Sequence, residues 1–338
     1  MKICICGGGS LGHVVAAWTA AKFSESTVSV LTNKPQLWSN SVKVYLPDGD
    51  SFVGELERVS SDPAEVIYDA DVVLFCYPGF AIHEELVRIK PFLSKGCFVG
   101  AVFSSTGFFF EALKVLPSSQ PIWGFQRVPF IARVREYGHS VNLLGFKSSL
   151  NVAVEHVCDE RKNEFVTCLL RWFDCPVKLL KNYYEASLTN SNPLLHTSRL
   201  YSLFSREENE VYPRMILFYE EWTEDSAQLL IDMDKELFRL ISVLPVTPGF
   251  LLPVLDYYES RDAASLASKL RSIPAFKGIG SPMIQTECGW VPDYSSRYFT
   301  EDFPYGLRYI VELARDKGVK VPVMEKVLSW GMSKIKNH

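Results

Sequence analysis

The chain has no run of like charge, no low-complexity tract and no internal repeat, so a disordered tail or a repeat array is not its organising feature. It has no surplus of positive charge: 35 Lys and Arg stand against 39 Asp and Glu, a net charge of −4. Nothing in that balance calls for nucleic acid or an anionic membrane surface, and neither is expected as a partner. Long apolar runs are missing as well. The most apolar stretches, such as residues 96–110, are broken by Gly and polar residues and suit no membrane span. No basic lead-in or long apolar region precedes the first strand, so no secretion signal is expected. Eight cysteines include no C-x-x-C pair. Cys4 and Cys6 alternate along one short apolar run and Cys76 ends another. That is the pattern of buried, reduced thiols in a cytoplasmic protein rather than of disulfides or zinc ligands, and no metal is expected.

What is present is ordinary in bulk and specific in places. With 338 residues, 47% of them hydrophobic and 22% charged, the chain can build two domains with real cores. Its first stretch is the most informative. Lys2-Ile3-Cys4-Ile5-Cys6 reads as a buried strand, Gly7-Gly8-Gly9-Ser10-Leu11-Gly12 follows, and a helix begins by Val14. This is G-x-G-x-x-G between a strand and a helix, the context a dinucleotide-binding turn requires. Gly7 permits the sharp turn, Gly9 the approach of a pyrophosphate to the backbone, and Gly12 close packing of helix on strand. Ser10 and Leu11 lie at the helix N-terminus, whose free N–H groups suit phosphate.

A second strand is expected at Thr27–Leu31. Dinucleotide sites that hold NAD place an acidic residue about 20 positions beyond the glycines. Here Thr32-Asn33-Lys34 stands there, without a carboxylate. Lys34 could pair with a 2′-phosphate, with Thr32 and Asn33 as hydrogen-bonding neighbours, so the reading leans towards NADP and leaves NAD open. Val42–Leu46 and Ser51–Val59, joined by Pro47-Asp48-Gly49-Asp50, read as a hairpin inserted in this domain. Asp71–Cys76 reads as a buried strand, and Tyr77-Pro78 after it is expected to line the nicotinamide side of the site. Strands are further expected at Cys97–Phe103, Ile122–Phe125, Val141–Phe146, Asn151–Val157 and Pro176–Leu179, the last three extending the same sheet. The pattern then turns helical. Trp222–Leu244, Ala263–Leu270, Tyr305–Asp316 and Pro322–Lys334 read as helices. The expected architecture is an α/β, doubly wound Rossmann-type domain over 1–181, followed by an all-α substrate and catalytic domain over 182–338. The active site is expected in the cleft between them.

Two clusters in the helical half could do chemistry. His196 lies in Ser191-Asn192-Pro193-Leu194-Leu195-His196. Pro193 suits a first helical turn, and Asn192 shares a helix face with His196. The other is Arg297-Tyr298-Phe299-Thr300-Glu301-Asp302-Phe303-Pro304-Tyr305-Gly306-Leu307. Its Arg suits bidentate capture of a carboxylate, and Asp302 could bond an imidazole. A structural histidine and a surface ion pair are the plainer alternatives.

Taken with the glycine turn followed by His13, these motifs resemble the opine dehydrogenases, the octopine/nopaline dehydrogenase group, along nearly the whole chain. That resemblance implies NAD(P)H-dependent reductive condensation of an α-keto acid with an amino acid, through an imine, to a secondary amine dicarboxylate. It implies that His196 is the acid/base residue, Asp302 its dyad partner and Arg297 the keto-acid clamp, with Asn192 positioning substrate or His196. A homodimer is an open assembly on this reading. The nearest alternative is a ketopantoate reductase-like or 3-hydroxyacid dehydrogenase-like enzyme acting on C=O. Such enzymes carry Lys-x-x-x-Asn, whereas Lys181 is here followed by Glu185. A nucleotide-binding sensor without turnover is the non-enzymatic alternative.

Overall fold

The computed structural model describes residues 1–206 and 211–336; the remainder, including His338 at the end of the expected second domain, lies outside the described residues. The chain divides into two compact units, Met1–Thr189 and Asn190–His338.

The first unit runs β1 (Lys2–Cys6), α1 (Ser10–Lys22), β2 (Thr27–Leu31), β3 (Ser41–Tyr45), β4 (Ser51–Glu55), β5 (Arg58–Ser60), α2 (Pro63–Val66), β6 (Val72–Phe75), α3 (Gly79–Ile89), β7 (Phe98–Ala101), α4 (Phe108–Val115), β8 (Ile122–Phe125), β9 (Phe130–Glu136), β10 (Ser140–Phe146), β11 (Leu150–Glu155), α5 (Asp159–Phe173), β12 (Val177–Leu179) and α6 (Tyr183–Ser187). The main sheet has the order β12-β11-β8-β7-β6-β1-β2-β5. From β5 to β8 its strands are parallel; β11 is antiparallel to β8. Alternation along β1 explains why both faces are apolar. Ile3 and Ile5 join a core with Val14 and Val15 of α1 and Leu169 of α5. Cys4 and Cys6 join another with Ile82 and Leu86 of α3 and Phe108 of α4. All eight cysteines are free; Cys158 and Cys288 are exposed.

Helix α1 is buried over the continuous run Gly12–Ala17 because it lies between two sheets. A second sheet, of order β4-β3-β10-β9, contributes Val42, Val44, Val141 and Leu143 to the core that holds Val14–Ala17. This explains why the α1 sequence lacks a polar face.

The expected hairpin forms around Gly49, at φ +94°, with the Leu46 N–H donating to the Asp50 carbonyl at 2.8 Å. Its second arm is shorter than expected, because the chain leaves after Glu55 and β5 crosses to pair with β2. Val141–Phe146 does not extend the main sheet: it pairs with β9 and β3 in the second one. Strand β9 escaped the sequence reading because its outward side chains include Arg133 and Arg135, while Phe130 and Ala132 point inward. The expected boundary after Lys181 falls inside the first unit, where α6 packs on β11 and β8.

The second unit comprises α7 (Asn192–Phe204), α8 (Glu224–Ile241), α9 (Val254–Tyr257), α10 (Ala263–Ser272), α11 (Arg297–Thr300), a π-helical turn (Phe303–Leu307), α12 (Arg308–Asp316) and α13 (Pro322–Lys336). It also carries a small hairpin of β13 (Met283–Thr286) and β14 (Gly289–Pro292). Leu230, Met233, Leu237 and Leu240 form the buried face of α8. Glu236, buried on the same helix, accepts the Val323 and Met324 N–H groups at 3.0 and 2.8 Å and so caps the start of α13.

The contact of β4 with α1 leaves no room for a side chain at Gly54, whose added Cβ would overlap the Ala17 carbonyl. Gly54→Ala is expected to destabilise the first unit by about 1–3 kcal/mol, read as a fall in its thermal midpoint. An unchanged midpoint would mean that the two layers are not in contact there.

Candidate active site

The first unit supplies the glycine turn. Gly7 sits at φ +122°, and a Cβ there would come within 2.9 Å of the Cys76 carbonyl oxygen. A Cβ on Gly12 would overlap the Gly7 carbonyl, so this glycine is what lets α1 start against β1. Gly8, not singled out from the sequence, is less tightly held: its Cβ would overlap the Tyr137 hydroxyl, the far end of a side chain, and approach Thr32 Oγ1. Gly9 behaves differently. It is the N-cap of α1, offers no side-chain cap, and a Cβ on it would meet nothing within 4 Å. No acidic residue occupies the first turn. Open space, uncapped N–H groups and the positive end of a helix together fit a dinucleotide pyrophosphate, with Gly9, Ser10 and Leu11 as its cradle. Ser10 Oγ also accepts the Val134 N–H at 3.2 Å.

The groups expected around the rest of the coenzyme lie at C-terminal ends of parallel strands. Thr32 is buried after β2, and Asn33 and Lys34 are exposed beyond it. The Lys34 side chain has no partner among the described residues. Tyr77 follows β6; a Cβ on Gly7 would lie 3.4 Å from its ring, which places it beside the glycine turn. Pro78 is the N-cap of α3.

His13 ties this turn to the second sheet. Its imidazole is fully buried, with Nδ1 2.9 Å from the Gly9 carbonyl and Nε2 accepting the Gly138 N–H at 2.7 Å. Its ring lies 4.1 Å from that of Trp38. Acceptance at Nε2 requires the neutral ring with its proton on Nδ1, which donates to Gly9.

The second unit supplies the other cluster. Helix α7 begins at Asn192, with Pro193 in its first turn, and His196 follows on the Asn192 face. His196 Nδ1 lies 2.8 Å from Asp302 Oδ2, with side chains 12% and 17% exposed. Since a carboxylate only accepts, Nδ1 carries the proton and Nε2 faces away from Asp302. Asp302 reaches this place through its neighbours. It precedes a π-helical turn whose Phe303, Pro304, Gly306 and Leu307 are all buried. A Cβ on Gly306 would lie 2.7 Å from Pro193 Cγ, so the two sequence motifs touch each other directly. Phe303 stacks on Phe299 at 5.6 Å and packs against Gly331 of α13.

Arg297 is exposed on α11 and its guanidinium has no partner among the described residues. The next residue, Tyr298, has its ring 4.6 Å from that of His196. Asn192 is exposed, and its backbone N–H donates to Asn190 Oδ1 at 3.3 Å. Two further residues at this cluster gave no sequence signal. Tyr219 Oη lies 3.1 Å from His196 Nε2, and Phe218 packs edge-on against the imidazole. Both sit in an irregular segment where periodicity reports nothing. Among the described residues no group of three His, Cys, Asp or Glu could hold a metal ion, and no helix is long and apolar enough to cross a membrane.

A parallel sheet with a glycine turn feeding an uncapped helix is the architecture of a dinucleotide-binding unit, and the helical unit beside it in sequence carries a shielded His–Asp pair. Residues 179–335 match the family described as NAD/NADP octopine/nopaline dehydrogenase, alpha-helical domain. It is 25% identical to an opine dehydrogenase of Haliotis discus hannai, across 98% of this chain and 89% of that one. Octopine dehydrogenase solved with NADH and L-arginine shares the fold with a TM-score of 0.85, at 23% identity over 99% of this chain and 90% of that one. Yersinopine dehydrogenase with NADP+ bound gives 0.73 at 12% identity, over 100% and 91%.

Burial lowers the proton affinity of His13. An unfolded chain therefore takes up a proton that the folded one refuses once pH falls below the ordinary histidine value of about 6.5. The contribution is intact above that value and is lost as pH falls through it. Thermal midpoints measured between neutral and mildly acid pH should decline less steeply in His13→Gln than in the parent protein. Equal slopes would remove His13 from the clamp.

Proposed function

We propose that the protein catalyses NAD(P)H-dependent reductive condensation of an α-keto acid with the amino group of an amino acid, forming a CH–NH bond and releasing water. The observation that carries this reading is the contact between the Asn192-to-His196 turn and the Asp302-to-Leu307 turn, which makes one His–Asp pair from two distant motifs. The units divide the labour. The first holds the coenzyme on Gly7, Gly9, Ser10, Leu11 and Gly12, with Tyr77 and Pro78 on the nicotinamide side. The second handles protons.

The unpartnered guanidinium of Arg297 is suited to hold the keto-acid carboxylate by two parallel N–H bonds. His196, with Asp302 stabilising its imidazolium, takes a proton from the substrate ammonium so that the amine can attack the carbonyl carbon. It then gives that proton to the hydroxyl that departs as water, leaving the iminium. When bound, the reduced nicotinamide supplies the hydride that makes this carbon tetrahedral. Asn192, one turn before His196 on the same face, helps to position substrate. The absence of a carboxylate after β2 and the free ammonium of Lys34 favour the 2′-phosphate of NADPH over NADH. The free cysteines agree with a cytoplasmic setting, and a homodimer is compatible with every role assigned here.

A coenzyme-oxidation screen of keto acids against amino acids, with NADH and NADPH in parallel, tests the reading. Oxidation should require both substrates. Oxidation with a keto acid alone would instead mark a C=O reductase, and tight coenzyme binding with no turnover for any pair would mark a sensor. With an active pair in hand, His196→Ala should lower kcat by about 100-fold or more while coenzyme affinity holds. Arg297→Lys should raise the KM for the keto acid by about tenfold, because an ammonium cannot reproduce the fork. An unchanged KM would exclude Arg297 from the carboxylate site.

A further inference from the structure

The catalytic nitrogen of His196 is not left to solvent. Tyr219 Oη lies 3.1 Å from Nε2, and the tyrosine is only 4% exposed. Its ring is stacked on Phe276 at 4.0 Å and aligned with Trp222 at 6.0 Å. The segment that carries it has no regular structure, yet its backbone is held. Arg199, on α7 one turn beyond His196 and itself 1% exposed, donates Nε to the Phe218 carbonyl at 2.9 Å and Nη2 to the Glu221 carbonyl at 2.8 Å. Its Nη1 donates to Ser226 Oγ at 3.1 Å. A buried guanidinium with only neutral acceptors in contact is expensive to keep. Its bonds fall on the carbonyls that bracket Tyr219, so one helix sets both the imidazole and the hydroxyl facing it.

We propose that Tyr219 is a positioning residue for His196: its hydroxyl, placed by Arg199, holds Nε2 opposite Asp302 until substrate takes its place at that nitrogen. The catalytic consequence rests on the reaction proposed above; the geometry does not. A phenol can serve both states of the ring, donating to the neutral nitrogen and accepting from the charged one. The bond from the imidazolium is charge-assisted and the stronger of the two. The hydroxyl therefore holds the ring in either state. Tyr219 itself stays protonated, because burial, with Tyr298, Tyr258 and Asp302 nearby, pushes its phenol far above the usual value. The groups facing the imidazole are thus Asp302, Tyr219 and Tyr298, with Tyr258 behind Tyr219 and Arg199 further along its own helix.

Tyr219→Phe removes one oxygen and keeps the stacked ring. The His196 Nε2 resonance should be followed by nitrogen NMR in the free protein, assigned by its loss in His196→Gln. That resonance is expected to move in Tyr219→Phe, where the nitrogen loses its hydroxyl partner, with the thermal midpoint nearly unchanged. In the unmodified protein the Tyr219 hydroxyl proton should be detectable in slow exchange. With an active substrate pair, kcat should fall by about tenfold while coenzyme KM holds. An unmoved His196 Nε2 resonance, or a rapidly exchanging hydroxyl, would overturn the inference whatever the turnover. A moved resonance in a protein that shows no turnover for any keto acid and amino acid pair would uphold this inference and overturn the assigned reaction.

Discussion

The hydrogen bond between His196 and Asp302 is the constraint on which the helical unit depends. It joins residues 106 positions apart in sequence at 2.8 Å. Leaving either group unpaired in so enclosed a place would cost a desolvation penalty with nothing to offset it. The surrounding sequence is arranged to bring the two together. Gly306 lets the π-helical turn lie on Pro193, Phe303 fills the space above Gly331, and the buried Glu236 fixes where α13 begins. A π-helical turn is uncommon and holds only where packing compensates for it. Here that compensation is the burial of its apolar side chains, and the product is a carboxylate aimed at an imidazole.

Much of the frame could be read from residue order. The glycine turn is recognisable because three constraints coincide within six residues: Gly7 and Gly12 are held by close backbone contacts, and Gly9 leaves open space at the helix start. Helices α8, α10 and α13 were legible from apolar spacing. The pairing of strands was not. Whether Val141–Phe146 joins one sheet or another depends on partners far away in sequence, and periodicity along a strand carries no information about its neighbours. Strand β9 hid behind its outward arginines for the same reason that an edge of a half-exposed sheet tolerates charge.

At the cluster itself, legibility followed regularity. His196 and Asp302 stand at the ends of helices, where caps, Pro and Gly mark positions. Tyr219 stands in a turn with neither period nor cap, and nothing in its immediate sequence distinguishes it from fourteen other tyrosines. Lys34 is the intermediate case. The missing carboxylate after β2 was visible at once, but what a solvent-exposed lysine does depends on a ligand rather than on the fold.

The two units solve one physical problem in the same way. A functional loop must expose backbone groups to a ligand, so it lacks the internal hydrogen bonds that would make it rigid. In each unit a buried polar side chain from the adjoining helix supplies what is missing. His13 stands immediately after the last glycine of the turn and holds the Gly9 carbonyl and the Gly138 N–H. Arg199 stands one turn after His196 and holds the carbonyls on either side of Tyr219. In both cases the clamp lies on the helix that carries the functional group, so loop and helix keep their spacing as one body. A long apolar side chain at either position would fill the same volume and leave those backbone groups unsatisfied, a larger loss than the packing gained. Burial of a costly polar group at these places is therefore explained by the loop it orders, and not by the core in which it sits.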